Sequence, residues 1–136
     1  MDKKQILVVD DERDMRIFVS TVVETLGFEA VSAHDGAHAL ETAGSGAPAL
    51  VILDVMMPGI DDGIQTYRQF KTDPELSHIP IIILSAIAKK TFLHSIKMLS
   101  PRQGAGISEP EAYMEKPPDA NELSRLITGL LSSGSS

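Results

Sequence analysis

The chain contains no cysteine and no tryptophan, and its aromatic side chains are limited to two tyrosines and four phenylalanines. The absence of cysteine excludes disulfide bonds, thiol catalysis and cysteine-ligated metal sites. No apolar run approaches the ~20 residues of a membrane span. Acidic residues outnumber basic ones by 19 to 12, and the net charge of −7 argues against a general nucleic-acid or anionic-membrane surface. We therefore expect neither a direct nucleic-acid partner nor membrane insertion.

The 136 residues, of which 43% are hydrophobic and 23% charged, suit one folded domain with an aliphatic core. Three continuous runs rich in Val, Ile and Leu predict strands that are buried on both faces, as in a parallel sheet. These runs and two weaker strand candidates lie at residues 6–9, 50–53, 81–84, around Val31 and at 112–115.

Between the strand candidates, apolar residues recur at steps of three and four, which predicts amphipathic helices. The clearest helix covers residues 15–26 and ends at Gly27, and another covers 123–131 behind a capping-box spacing of Asp119 and Glu122. Shorter apolar stripes lie at residues 37–43, 64–70 and 92–99. Strands that alternate with helices predict βαβ units, and hence a parallel sheet with helices on both faces.

Polar side chains follow four of the predicted strands at the point where each strand ends. Asp10 and Asp11 follow the first strand, Asp54 the third, Ser85 the fourth and Lys116 the fifth. Ligand groups gather at the carboxyl ends of the strands in open α/β sheets, so we expect these side chains to converge. Three carboxylates in one pocket repel each other, and a hard dication such as Mg²⁺ relieves that repulsion. The alternative is that the first two aspartates only cap the helix that follows them.

Four segments, in this order, resemble the motifs of the receiver domain of two-component response regulators. They are Ile-Leu-Val-Val-Asp-Asp-Glu at 6–12, Leu-Asp-Val-Met-Met-Pro at 53–58, Pro-Ile-Ile-Ile-Leu-Ser-Ala at 80–86 and Tyr-Met-Glu-Lys-Pro at 113–117. The resemblance spans residues 5 to about 131. It implies an α/β fold with a single doubly wound, flavodoxin-like sheet of five parallel strands in the order 2-1-3-4-5, and five helices on its two faces.

The resemblance also implies a role for each matching residue. Asp54 would be the phosphoacceptor, which takes a phosphoryl group from a sensor histidine kinase or a phosphotransfer protein, and Lys116 would pair with Asp54 and then with the phosphoryl oxygens. Ser85 would donate its hydroxyl to a phosphoryl oxygen, and Tyr113 would reorient on activation. The implied cofactor is Mg²⁺, and its expected ligands are Asp11, Asp54 and the backbone carbonyl of Met56, with Asp10 acting mainly through bound water.

These roles predict a cytoplasmic signalling switch that acts on a downstream protein target. It would assist only its own phosphorylation and dephosphorylation and would not otherwise be an enzyme. An aspartyl phosphatase or phosphotransferase needs a second acidic group close after the nucleophile, whereas Val55 and Met56 follow Asp54 here. The alternative is a receiver-like interaction module that works without phosphorylation.

Two stretches depart from the family's usual pattern. Segment 59–63 has one residue more than usual before its second glycine and contains two adjacent aspartates. We expect a solvated turn there, with tuning of metal affinity or of partner approach as the alternative. Lys116 lies 31 positions after Ser85, several more than usual, and the excess falls in 99–111, where prolines and glycines predict an extended loop. This loop would either reshape the output face for partners or be an inert insertion.

The remaining features have ordinary expectations. The receiver domain should cover residues 1–131, followed by a disordered polar tail at 132–136. Tyr67 lies on an apolar helical stripe and should pack in the core or at its edge. The four histidines show no ligand spacing, and Lys89 and Lys90 should form a solvated helix start.

Overall fold

The computed structural model describes residues 4–56, 60–99 and 107–133, which form five strands and five helices in alternation. The strands are β1 (Gln5–Val9), β2 (Glu29–Ala33), β3 (Leu50–Leu53), β4 (Ile81–Ser85) and β5 (Ala112–Glu115). The helices are α1 (Arg13–Thr25), α2 (Gly36–Gly46), α3 (Ile60–Thr72), α4 (Lys89–Leu99) and α5 (Ala120–Ser133).

The five strands form one parallel sheet in the order β2-β1-β3-β4-β5. The predicted doubly wound fold is therefore confirmed. The chain first adds β2 on one side of β1 and then continues with β3 on the other side, so the winding reverses at β1. In sheets of this type, ligands bind in the crevice outside the carboxyl ends of the strands at that reversal.

Burial on both faces of the sheet explains why the strands appear as continuous apolar runs. In β1, Leu7 and Val9 join the core that α2, α3 and α4 cover, whereas Ile6 and Val8 join the core that α1 and α5 cover. Tyr67 of α3 is fully buried in the first of these cores, in agreement with its position on an apolar stripe.

Helix α3 begins earlier than expected. It starts at Ile60 and contains Asp61 and Asp62 in its first turn, so the predicted turn is replaced by helix, whereas Asp62 is exposed as expected. Gly59 of the predicted segment lies outside the described residues. Gly63 in this first turn is required by packing, because a Cβ atom at this position would lie 1.8 Å from the carbonyl oxygen of Val55. A residue without a side chain allows the backbone of α3 to pack this closely against the chain that leaves β3.

The chain enters β5 through residues 107–111, which form neither helix nor strand. The earlier part of the predicted loop, residues 100–106, lies outside the described residues. The Nζ atom of Lys71 lies 2.9 and 3.1 Å from the two carboxylate oxygens of Glu111, and the N–H of Ile81 donates to the same carboxylate at 2.8 Å. These contacts fix the returning chain to α3 and to the first residue of β4.

Helix α5 continues through Ser133, two residues beyond the predicted domain end at 131, and residues 134–136 lie outside the described residues. At its start, Asp119 accepts the N–H of Glu122 at 2.8 Å, which is one half of the predicted capping box. Within the described ranges, no helix has the length and the apolar character to cross a bilayer.

Candidate functional site

The carboxyl ends of β1 and β3 bring three aspartates together. Val9 pairs with Leu53 in the sheet register, and the N–H of Asp54 donates to the carbonyl of Val9 at 2.9 Å. Asp10 follows Val9 and therefore lies beside Asp54. Carboxylate oxygens of Asp10, Asp11 and Asp54 all lie within 4.8 Å of one another. The sequence-based expectation that these carboxylates converge at one sheet edge thus agrees with the structure.

The pocket confines negative charge. Asp10 and Asp54 are each only 3% exposed, whereas Asp11 is exposed. Burial raises the pKa of Asp10, and the nearby charge of Asp54 adds to this effect, while hydrogen bonds from the Glu12 N–H and from Lys116 oppose it. Oxygen ligands only, grouped within reach of one ion and accessible on one side, fit Mg²⁺, which prefers oxygen ligands and keeps several waters.

Lys116 brings a positive charge into this pocket. Its Nζ atom lies 3.0 Å from Asp10, 3.1 Å from Asp54 and 3.1 Å from Glu12. The N–H of Lys116 donates to the carbonyl of Ser85 at 2.8 Å, which continues the pairing of β4 with β5 and sets the position of the side chain. Burial alone would lower the pKa of Lys116, but its hydrogen bonds to Asp10 and Glu12 and the surrounding negative charges raise it above the ordinary lysine value.

The two oxygens of Asp54 have different partners. Oδ1 accepts the N–H of Met56 at 3.0 Å, and Oδ2 lies 3.1 Å from Nζ of Lys116. The backbone of Met56 is thus part of the site, while its side chain is exposed. The role of the Met56 carbonyl as a metal ligand stays a prediction.

Ser85 and Tyr113 contact the same residue of the loop between β4 and α4. Ser85 is fully buried, and its Oγ atom accepts the N–H of Ile87 at 3.3 Å. The hydroxyl of Tyr113 donates to the carbonyl of Ile87 at 2.5 Å, and its ring lies 5.6 Å from the ring of Phe92 in α4. Burial, together with the charges of Glu115 and Asp54, raises the pKa of Tyr113 to about 12, so its hydroxyl stays a donor at neutral pH.

Two functional neighbours were missed in the sequence. Glu12 contacts Lys116, although its place after two aspartates suggested only a helix start. Arg16, one helical turn later, donates from Nη1 to the backbone carbonyl of Asp10 at 2.8 Å and so steadies the end of β1. The alternative that the first two aspartates cap α1 is wrong, because the N-cap residue is Glu12, and Oδ1 of Asp10 accepts the N–H of this N-cap residue at 2.9 Å.

The other candidates lie outside this site. Within the part of the chain that the structure describes, the three aspartates are the only acidic or histidine group with metal-ligand spacing. The ring of His34 lies 5.2 Å from that of His38, and both side chains are exposed near the start of α2. Lys89 and Lys90 are exposed at the start of α4, as predicted.

Comparison with known proteins gives one consistent result. Residues 6–128 match the response regulator receiver domain family. The polar-differentiation response regulator DivK of Brucella anthropi is 33% identical over 117 residues, which cover 86% of each chain. The sensor histidine kinase TmoS of Ectopseudomonas mendocina is 34% identical over 131 residues, which are 96% of this chain and 12% of the kinase. The solved structure of chemotaxis protein CheY4 of Vibrio cholerae has the same fold, with a TM-score of 0.77 at 22% identity over 94% of this chain and 98% of that chain.

The fold and the acidic pocket define a signalling domain of two-component phosphorelay systems, a class distinct from enzymes that turn over a small substrate. The chain belongs to the response regulator receiver domain family and is similar to DivK and CheY-type proteins. Receiver domains bind Mg²⁺ at an acidic pocket, and the residues that correspond to it here are Asp10, Asp11 and Asp54.

Proposed function

We propose that this receiver domain accepts a phosphoryl group on Asp54 in a Mg²⁺-dependent reaction and thereby switches its output face. One observation carries the proposal, namely that the ammonium group of Lys116 lies 3.1 Å from a buried Asp54 carboxylate within a cluster of further carboxylates. A lone buried ion pair needs no surplus of carboxylates. The surplus favours a site that binds a cation, which balances the carboxylates and lowers the repulsion of an incoming phosphoryl group.

The proposed chemistry is a phosphoryl transfer from a phosphohistidine. An oxygen of Asp54 bonds to phosphorus as the bond between phosphorus and the histidine nitrogen breaks. Mg²⁺, held by Asp11 and Asp54 with help from Asp10, would neutralise charge on the transferred group. Lys116 would donate to a phosphoryl oxygen and so reduce the repulsion between the carboxylate and its anionic partner. The domain would in this way assist its own phosphorylation, and later its dephosphorylation.

The phosphoryl group on Asp54 would drive a conformational switch. A phosphoryl group adds roughly one to two negative charges and three strong acceptor oxygens next to Asp54. Ser85 would redirect its hydroxyl to one of these oxygens and weaken its bond with the N–H of Ile87. Because Tyr113 also bonds to Ile87, a movement of that residue would release the tyrosine hydroxyl. Two contacts on one loop residue thus support a two-state element.

Receiver domains interact with histidine kinases and phosphotransfer proteins. We propose that a sensor kinase or phosphotransfer protein in the cytoplasm is the donor and that the output is contact with a downstream protein. The 99–111 loop would reshape the output face. Shortening this loop should weaken binding of a downstream partner, and unchanged binding would leave the loop as an inert insertion.

The direct test is intact-mass spectrometry after incubation with a small phosphodonor such as acetyl phosphate, with and without Mg²⁺. We expect the wild type to gain one phosphoryl group when Mg²⁺ is present. The matched control is Asp54→Asn, which keeps the shape of the residue and should gain nothing. Failure of the wild type to gain mass with Mg²⁺ bound would instead favour an interaction module that works without phosphorylation.

A further inference from the structure

Three carboxylates crowd the ammonium group of Lys116 in the resting structure, and two of them, from Glu12 and Asp54, accept hydrogen bonds from it. An ammonium offers three N–H donors, and three carboxylates, from Asp10, Glu12 and Asp54, lie 3.0 to 3.1 Å from Nζ. In the proposed reaction Lys116 still pairs with Asp54 when the phosphoryl group arrives, so a phosphoryl oxygen needs a further place at Nζ. One of its present partners therefore has to leave.

The three partners differ in how easily they can leave. The side chains of Asp10 and Asp54 are only 4% exposed and belong to the acidic cluster, so neither can turn away from Lys116 into solvent. The side chain of Glu12 is 65% exposed, so water can replace the ammonium at its carboxylate. Exposed ion pairs contribute little net free energy and exchange readily. Glu12 is therefore the partner that can separate from Lys116 most easily.

The side chain of Glu12 contacts the site rather than its helix. Glu12 is the N-cap residue of α1, yet its side chain accepts no hydrogen bond from the helix N–H groups. Its own N–H donates to Oδ1 of Asp10, which holds its backbone beside the pocket. With the backbone held there, the glutamate carboxylate reaches Lys116 across the opening of the site.

We propose that Glu12 is a positioning residue that holds Lys116 in the resting state and gives way to the phosphoryl oxygen during transfer. This inference rests on the proposed function, because the exchange has a purpose only if Asp54 is phosphorylated. Glu12 slows phosphorylation by occupying the donor that the phosphoryl group needs, and it keeps the ammonium ordered between turnovers.

The first test is the rate of phosphoryl uptake at saturating Mg²⁺ for three variants. Glu12→Gln should speed uptake by about twofold to fivefold, the range that loss of one exposed ion pair supports. Glu12→Asp should give a similar gain although it keeps the charge, because its shorter carboxylate would cap α1 and lie out of reach of Lys116. Asp14→Asn removes an exposed charge from the first turn of α1 and should leave the rate unchanged.

The Glu12→Asp variant separates contact from charge. If Glu12 acted only by repelling the anionic donor, Glu12→Asp would match the wild type and the proposal would be overturned. Equal rates for the wild type and Glu12→Gln would overturn it as well.

The second test needs no phosphorylation. Proton–nitrogen NMR of the resting protein should detect the ammonium protons of Lys116, which exchange slowly with water while three carboxylates hold them. Their exchange should become several-fold faster in Glu12→Gln and Glu12→Asp and stay unchanged in Asp14→Asn. If the Lys116 ammonium protons exchange at the wild-type rate in both Glu12 variants, Glu12 does not hold Lys116 in the resting state. A wild type that takes up no phosphoryl group would refute the proposed function and the exchange step, while this signal would still report whether the contact exists.

Discussion

Two lysines with largely buried side chains lie at opposite ends of the sheet and differ in the number of carboxylates that surround them. Lys71, with a side chain only 3% exposed, meets one carboxylate, that of Glu111, near the amino end of β4. Lys116, 13% exposed, meets three carboxylates at the carboxyl ends of the strands, and Asp11 lies close by as a fourth. The first group of charges is balanced, whereas the second carries a surplus of negative charge.

This difference separates a structural contact from a functional site. A balanced pair with a further hydrogen bond from the backbone fastens one segment of the chain to another and needs no ligand. A surplus of buried carboxylates is unfavourable by itself and persists where a bound cation balances it. The number of carboxylates per ammonium, rather than burial alone, marks the site around Asp54.

The largest expected effect concerns catalysis. Lys116→Met should slow phosphoryl uptake at saturating Mg²⁺ by about a hundredfold or more, because one preorganised charged donor contributes that much to similar reactions. Mass spectrometry over a time course measures the rate. Lys71→Met is the matched control and should keep the wild-type rate. Comparable losses in the two variants would break the distinction between the two lysines.

The next effect concerns stability. Lys71→Met should reduce the free energy of unfolding by about 2 kcal/mol, less than the 3–5 kcal/mol for a fully buried pair because Glu111 is partly exposed. Urea unfolding followed by circular dichroism measures the change. Lys97→Met, at an exposed position of α4, should change stability by less than about 0.5 kcal/mol. If both variants unfold like the wild type, the contact between α3 and segment 107–111 is not structural.

Mg²⁺ should stabilise the folded domain only by binding at the cluster of Asp10, Asp11 and Asp54. Mg²⁺ at ten times its dissociation constant should add about 1.4 kcal/mol to the free energy of unfolding, since it binds the folded state. Thermal unfolding with and without Mg²⁺ measures this effect. Lys71→Met should keep the increment, and Asp11→Asn should lose most of it. Retention of the full increment in Asp11→Asn would place the ion elsewhere.

A smaller effect on stability should appear when one carboxylate of this cluster, that of Asp10, is replaced by an amide. Burial raises the pKa of Asp10 above its ordinary value of 3.8, so without Mg²⁺ the folded state binds its proton more tightly than the unfolded state. The stability of the wild type should then fall as the pH rises from 3.8 through the raised pKa. Asp10→Asn should therefore raise stability at neutral pH by about 1 kcal/mol and flatten this pH dependence. Thermal unfolding from acidic to neutral pH measures both, and a less stable variant at neutral pH would contradict the argument.

An effect of similar size is expected near Glu111, at the amino end of β4. The hydroxyl of Tyr67 donates to the carbonyl of Ser108 at 2.5 Å, and Tyr67→Phe should cost about 1 kcal/mol for this one hydrogen bond. Phosphoryl uptake should not change. A changed uptake rate in Tyr67→Phe would link segment 107–111 to the site and weaken the separation of the two regions.

The fold and the three aspartates were predictable because each depends on local pattern and topology. Continuous apolar runs indicated strands buried on both faces, and parallel strands bring their carboxyl ends to one edge. Asp10, Asp54 and Lys116 thus converge although they are far apart in the chain.

The remaining features depend on packing between distant segments. The pairing of Lys71 with Glu111 joins residues 40 positions apart, and no periodicity in either segment indicates it. The first turn of α3 packs closely against Val55 at Gly63, a contact that only the assembled fold defines. Glu12 looked like a helix start, and its contact with Lys116 arises only once β1 and β5 share a sheet.

In the proposed function, Asp54 becomes a phosphoryl acceptor once a cation balances the carboxylates around it. The most direct measurement is the rate of phosphoryl uptake across a Mg²⁺ titration, compared with thermal stabilisation across the same titration. We expect both curves to saturate with the same midpoint, and both to be weakened by Asp11→Asn. Phosphoryl uptake at full rate without Mg²⁺, or midpoints that differ widely, would contradict the claim.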